Sequence, residues 1–312
     1  MLFVEKISEN FHEISKEKKS LTVLGIYKDL IYVDIADRVY AIQNKRITMS
    51  PISISVKNEL DFRSQDLYLG DLGELTPDKI TIKSLIIDIR NPKVIPLKLS
   101  GSSESHDFLK EISQWQDILR KVMTETLHEK SRLTAEGNSP LKGIGEVILG
   151  MEGMAPVFYM KRDEKGIHVQ ESFTRRVNDF ISKFQGREET SFERLAQVIG
   201  LGPGLTPSGD DFLSGLLSLL WYLGEEDDIS LFKGNLLKAM IPRAHETTPV
   251  SRAFLEAAMN GEFTESILDL YKVMGSRDME ESKEILREIS RLGHSSGTDT
   301  LAGMLFGMIV VG

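Results

Sequence analysis

The chain has 312 residues, 41% hydrophobic and 27% charged, which is ordinary globular usage and length enough for two domains. Lys and Arg number 38 against 47 Asp and Glu, a net charge of −9 that argues against a nucleic-acid binder or an anionic-membrane partner while leaving room for a local cationic pocket. There is no cysteine, so disulfides, thiolate nucleophiles and Cys-based metal centres are excluded, and the composition suits a reducing, cytoplasmic location.

The N-terminus, MLFVEKISENFHEISKEKK, turns charged by Glu5 and lacks the apolar core of a signal peptide. Residues 21–27, 30–35, 39–43 and 52–56 are rich in Val, Ile and Tyr, and 79–85 alternates apolar with polar, so strands are expected. Short polar breaks at Lys28-Asp29 and Asn91-Pro92 suit antiparallel connections. The expected fold is α+β: a small antiparallel barrel or sandwich over 1–103, then a mainly helical domain over 104–312 that carries the ligand site. The seam falls in SGSSESHD, 100–107, where small polar residues interrupt the pattern.

Beyond the seam the period changes. Phe108, Ile112, Trp115, Ile118, Leu119 and Val122 recur at helical spacing, and 134–142, with Gly137 and Pro140, reads as a loop. Helices are expected near 170–184, 191–199, 208–223, 229–240, 249–259, 263–274, 278–292 and 297–311. Gly200, Gly261 and Gly293 stand where C-terminal caps belong. The apolar stretches 212–223 and 301–311 fall short of the roughly 20 residues a membrane span needs, and read as buried helices.

Residues 200–215, GLGPGLTPSGDDFLSG, combine Gly200, Gly202 and Gly204 with Pro203 and Pro207 before an apolar helix. Glycine allows positive φ and close backbone approach, and proline stiffens the loop. Ser208 with Asp211 has capping-box spacing, and Thr206 with Pro207 at the first helical position is an equally legal cap. Capping alone accounts for Gly200, Pro207, Ser208 and Asp211. It leaves unexplained a stiff, glycine-dense approach to two adjacent carboxylates, Asp210 and Asp211, at the mouth of a buried helix. Backbone N–H groups over 208–210, Gly209 included, are expected to face a phosphate or carboxylate. The pattern is neither a Walker loop nor a dinucleotide fingerprint.

A second copy follows 88 positions on. SGDDFLSGLL at 208–217 and SGTDTLAGML at 296–305 share six of ten residues, and both read S-G-x-D-x-L-x-G. Asp211 with Gly215, and Asp299 with Gly303, lie four apart on one helix face. The expectation is two helices crossing at these glycines, with their N-termini in one polar cavity; two unrelated capped helices are the alternative. Between the copies, Arg243, Thr247, Thr248, Ser251 and Arg252 end one helix and open another, with Thr248 as cap and Pro249 at the first position. Arg252 opposes the helix dipole there, which points either to an anion or to an ion pair with Glu256 at i+4. His245 and His294 flank these loops, and His294, Ser295, Ser296 and Gly297 complete the second set of candidate ligand contacts.

Together, GLGPGLTPSGDDFLSG, TTPVSRAFLEAAMNGEF and GHSSGTDTLAGMLFG resemble the AllH family, over roughly residues 190–312. The family's namesake is one of three subunits of a bacterial oxamate carbamoyltransferase of anaerobic allantoin breakdown, which phosphorolyses oxalurate to oxamate and carbamoyl phosphate. The resemblance implies a subunit of such a multi-protein enzyme, with a small carboxylate- or phosphate-bearing substrate. A non-catalytic anion-binding or scaffolding subunit and a stand-alone metal hydrolase are the alternatives. The residues give the roles: Asp211, Asp299 or Asp210 as base or amide acceptor, and Gly202, Gly204, Thr206, Ser208, Arg243 and Arg252 among the ligand contacts. No cofactor is required by this chemistry; if a cation assists, carboxylate oxygens favour Mg²⁺ or Mn²⁺.

Overall fold

A computed structural model describes residues 1–99, 101, 105–133, 164–185 and 190–312. The expected loop at 134–142 and part of the seam at 100–107 lie outside these residues. The chain divides into two compact units, Met1–Lys98 with Glu262–Leu268, and Leu99–Gly261 with Asp269–Gly312.

The first unit is a mixed β-barrel. Its strands are β1 (Leu2–Ser8), β2 (Lys19–Ile26), β3 (Leu30–Ile35), β4 (Arg38–Asn44), β5 (Ser53–Val56), β6 (Leu72–Leu75), β7 (Lys79–Ile82), β8 (Leu85–Asp88) and β9 (Lys93–Ile95), with helix α1 (Glu9–Ile14) after the first. The order β5-β4-β3-β2-β6-β7-β8-β1 closes through pairing of β1 with β5, so eight strands share one ring. Closure leaves no long unpaired edge. Strand β1 serves two neighbours on one side: Leu2 and Phe3 pair with β8, then Lys6–Ser8 pair with β9. Alternate residues fill the interior, as with Leu21 and Val23 of β2, Ile31, Val33 and Ile35 of β3, and Ile80 and Ile82 of β7.

Two details depart from expectation. The barrel is not wholly antiparallel, because β4–β5, β1–β8 and β1–β9 run parallel. The alternating run 79–85 also breaks: Lys83 takes φ +51°, and the chain turns there between β7 and β8. The segment 262–268 completes this unit. The Phe263 N–H donates to Leu97 C=O at 2.9 Å, and Lys6 pairs with Glu265 at 2.9 Å.

The second unit is helical: α2 (Ser105–Lys110), α3 (Ile112–Leu133), α4 (Glu164–Gln185), α5 (Ser191–Ala196), α6 (Ser208–Leu223), α7 (Asp227–Met240), α8 (Pro249–Met259), α9 (Glu265–Gly275, whose first residues belong to the barrel unit), α10 (Met279–Ser290) and α11 (Ser296–Val311). A 3₁₀ turn, Ile241–Glu246, joins α7 to α8. The two most apolar helices, α6 and α11, pack on each other along their length, with α7 and α8 against the first and α3 and α10 against the second. Aromatic rings bring α4 onto this pair: Phe173 meets Phe212 at 4.9 Å and Phe180 meets Phe306 at 5.9 Å between centroids. The helix expected at 191–199 stops at Ala196, and Gly200, Gly261 and Gly293 adopt the positive φ of helix-ending residues. Among the described residues no helix is long and apolar enough to cross a membrane.

Candidate functional site

Everything at the site follows from how closely α6 and α11 approach. A Cβ at Gly215 would fall inside the carbonyl oxygen of Thr300, and one at Gly303 inside that of Phe212. The second glycine of each motif does the same for the preceding segment: Gly209 lies on the Val198 carbonyl and Gly297 on the Ile289 carbonyl. The backbone bonds match as well, since the Gly209 N–H donates to Leu201 C=O at 2.8 Å and the Gly297 N–H to Leu292 C=O at 3.0 Å. The crossing expected from the repeat is therefore the one observed, and glycine is required at all four places by backbone contact.

This crossing brings the two helix starts together. Thr206 Oγ1 lies 2.9 Å from Ser296 Oγ, a hydroxyl contact spanning 90 positions of sequence. Asp211 faces both hydroxyls and the carboxylate of Asp299, which is fully buried. Asp211 keeps slight exposure as a residue, but its Oδ2 is sealed from solvent and takes no hydrogen bond among the described residues. Burial first, and then the like charge of Asp299, push the Asp211 carboxyl well above the ordinary carboxylate range; the hydroxyls of Ser296 and Thr206 act the other way without cancelling the shift. Two carboxyls buried side by side disfavour a charge on both at once.

Asp210 has a different environment. Its Oδ1 accepts from the Gly200 N–H at 2.8 Å, and its Oδ2 accepts from Ser251 Oγ at 2.6 Å and from Thr247 Oγ1. Burial raises its pKa, and these three donors oppose the rise. The carboxylate pins the loop at Gly200 to the start of α8. Thr248 caps α8, accepting from the Ser251 N–H at 3.1 Å while its own hydroxyl donates to Leu205 C=O. Gly202, at φ +127°, lies against the Ser208 backbone, whereas Gly204, at φ +95°, borders open space.

The capping expectations for α6 do not hold. Pro207 occupies the N-cap position, outside the first helical position, and no side chain caps the helix, so neither Ser208 nor Thr206 plays that part. Proline has no N–H, and Pro207 C=O accepts from the Asp210 N–H (2.9 Å) and the Asp211 N–H (3.2 Å). The backbone N–H groups expected to face a ligand over 208–210 are thus partly consumed, those of Gly209 and Asp210 internally; Gly297 is consumed likewise at the second copy. Ser295 stands at the N-cap of α11 and uses its carbonyl, which accepts from the Asp299 N–H at 2.9 Å and Thr298 Oγ1 at 2.7 Å.

The remaining candidates scatter. Arg252 lies on the exposed side of α8 in a 2.7 Å pair with Glu256, the i+4 alternative. His294 is exposed in the loop before α11, and His245 is exposed on the 3₁₀ turn. Arg243, on the same turn, is half-buried; it pairs with Glu246 at 2.5 Å, yet its Nε is buried without a hydrogen-bond partner. One residue of the same kind escaped the sequence reading. Arg176 of α4 is half-buried with a sealed Nε that has no partner among the described residues, and burial together with the like charges of Arg175 and Arg243 lowers its pKa. The sequence did hold a signal: Arg176 falls three after Phe173 and four before Phe180, on the apolar face of its own helix.

Among the described residues no three His, Asp or Glu side chains converge as a metal-binding group. A 230 Å³ pocket lined by Asp107, Phe108, Glu111, Trp115 and Tyr222 lies elsewhere. Tyr222 and Asp211 are 11 positions apart on α6, about 16 Å along the axis. That pocket carries its own cation, Arg277, paired to Asp107 at 3.1 Å and Glu111 at 3.4 Å. The buried acids and hydroxyls at the helix starts remain the candidate site.

The comparisons with known proteins bear on this same region. The model of a family described as oxamate carbamoyltransferase subunit AllH matches residues 198–308, from the end of the α5 segment to the last turn of α11. Both S-G-x-D motifs, the Asp210 network and α8 fall inside the match. No solved structure matches the chain.

Proposed function

We propose that this chain is a subunit of a carbamoyltransferase handling oxamate, oxalurate and carbamoyl phosphate, and that Asp211 and Asp299 form its proton-handling pair. The observation that carries the reading is the shared burial of two carboxyls, one with a sealed and unbonded oxygen, inside the segment similar to the AllH family. In the phosphorolytic direction a phosphate oxygen attacks the ureido carbonyl carbon of oxalurate. The C–N bond to oxamate breaks, and the departing nitrogen takes a proton. A carboxyl held protonated at Asp211 supplies that proton, and in the reverse direction the same group removes it. Thr206 and Ser296 orient the pair, and Asp210 holds the loop that carries Thr206. No cofactor is needed for this step; a Mg²⁺ or Mn²⁺ entering with the phosphate would meet the hard oxygens of Asp211 and Asp299.

The family description names a subunit, so the chain is assayed alone and with its partner subunits, with and without Mg²⁺. Carbamoyl phosphate formed from oxalurate and phosphate is the readout. Asp211→Asn and Asp299→Asn are each expected to lower turnover by about 100-fold or more, the usual scale of general acid–base catalysis. Turnover within a factor of two of wild type in both variants would sink the assignment.

A further inference from the structure

Arg176 and Arg243 have no part in the proton chemistry above, and their environment is costly as it stands. Arg176 donates to Ser172 Oγ one turn earlier on α4, and no carboxylate among the described residues pairs with it. Arg243 shares its charge with Glu246 on the exposed side only. In both, the Nε–H is buried and nothing among the described residues receives it. For Arg176, a half-buried guanidinium with a sealed donor and no carboxylate partner among the described residues is destabilising unless an anion arrives to pair with it, and the like charge of Arg243, only partly offset by Glu246, adds to the penalty.

Their position is set by the elements already described. Phe173, one turn before Arg176, stacks edge-on against Phe212, the fifth residue of α6. Arg243 lies on the turn whose last residue, Glu246, presses its carbonyl on Gly200, and the next residue, Thr247, donates to Asp210. Arg176 thus lies one turn from a contact with α6, Arg243 lies on the turn that abuts the loop before α6, and the two are near enough for the charge of Arg243 to act on Arg176. We propose that Arg176 and Arg243 form an oxyanion receptor, in which the buried Nε–H groups and their guanidinium forks grip a carboxylate or phosphate group of the substrate. The forked geometry of arginine suits either group, two oxygens at a time. This deepens the carbamoyl-transfer reading: the receptor holds the charged end of the substrate and the aspartate pair handles the amide end.

The test titrates the full chain calorimetrically with inorganic phosphate and, separately, with oxamate, in an anion-poor zwitterionic buffer. At least one probe is expected to bind, and which one identifies the group held. Arg176→Gln and Arg243→Gln should each weaken that probe about tenfold or more, while Arg252→Gln, whose guanidinium is exposed and paired, should leave it unchanged. A second measurement separates binding from folding. Arg176→Met should melt no lower than wild type without anion, because it removes an unpaired buried charge, and should lose the phosphate- or oxamate-induced rise in Tm. Absence of binding by either probe, or an Arg176→Met protein that melts lower yet keeps the full anion response, overturns the proposal. Asp211→Asn divides the two readings. If it abolishes transfer and still binds the probe, both stand; if it still transfers, the carboxylate pair falls and the receptor is judged on the arginine variants alone.

Discussion

The two S-G-x-D segments use the same backbone and different side chains. At 208–215 and 296–303 the glycines make equivalent approaches: the first to the carbonyl of a preceding segment, the second to the partner helix. At the third position they part company. Asp210 reaches across to Gly200, Thr247 and Ser251, while Thr298 bonds back to Ser295 C=O within its own turn. What repeats is the means of bringing two helices into backbone contact. What differs is recruitment of a neighbouring loop, and it occurs in the first copy only. The shared glycines therefore serve the crossing, while the shared Ser296 and Asp299 join the unshared Thr206 and Asp210 in the polar surroundings of Asp211.

The strongest way to break that equivalence is to fill the crossing. Gly215→Ala and Gly303→Ala each place a Cβ inside a backbone carbonyl, which cannot move without separating the helices. Each is expected to cost about 3 kcal/mol or more, at or beyond the upper end of overpacking, and to do so alike. Denaturant unfolding checks this; a loss below about 1 kcal/mol at one of the two positions would show that the copies are not equivalent.

A smaller effect sharpens the difference at the third position. Asp210→Ala strands three donors, two of them hydroxyls, and should cost about 2–4 kcal/mol. Thr298→Ala removes one local bond and should cost about 1 kcal/mol. Equal losses in the same unfolding series would mean that Asp210 does not tie the two loops together.

The smallest effect is a pH dependence at Asp211. Its carboxyl titrates higher in the folded protein than in the unfolded chain, so the folded state holds the extra proton. Its favourable contribution is complete below the unfolded carboxylate range, near pH 4, and is lost as pH rises through the folded value. Asp211→Asn removes the ionisation and keeps the shape. It should be more stable than wild type at pH 7, and the gain should fade toward pH 4. A gain independent of pH, or a loss at pH 7, would contradict the burial of an ionisable pair.

Much of this was legible in the residues. Strands β2 to β5 announced themselves by Val, Ile and Tyr, and β1 did not, because Glu5 and Lys6 interrupt Leu2, Phe3, Val4 and Ile7. Helices α6 and α8 begin and end where their patterns place them, at 208–223 and 249–259. The i+4 pair of Arg252 with Glu256 was available as an alternative from spacing alone. Capping chemistry misled at Ser208, since Ser-x-x-Asp spacing is satisfied equally by a helix whose N-cap is the preceding proline.

The sequence by itself determined the change from strands to helices and the glycine helix ends, and it offered the crossing of α6 with α11 as one of two readings, because these follow from local φ, periodicity and missing side chains. Only the tertiary structure decided which acid became a fastener and which met a second buried acid. Asp210 and Asp211 are adjacent and chemically identical, and they differ because helix geometry turns them about 100° apart. One then meets the loop donors of α8 and the other meets Asp299. The same is true of Arg176, whose half-burial without a carboxylate partner among the described residues depends on what α4 packs against and not on its neighbours in the chain.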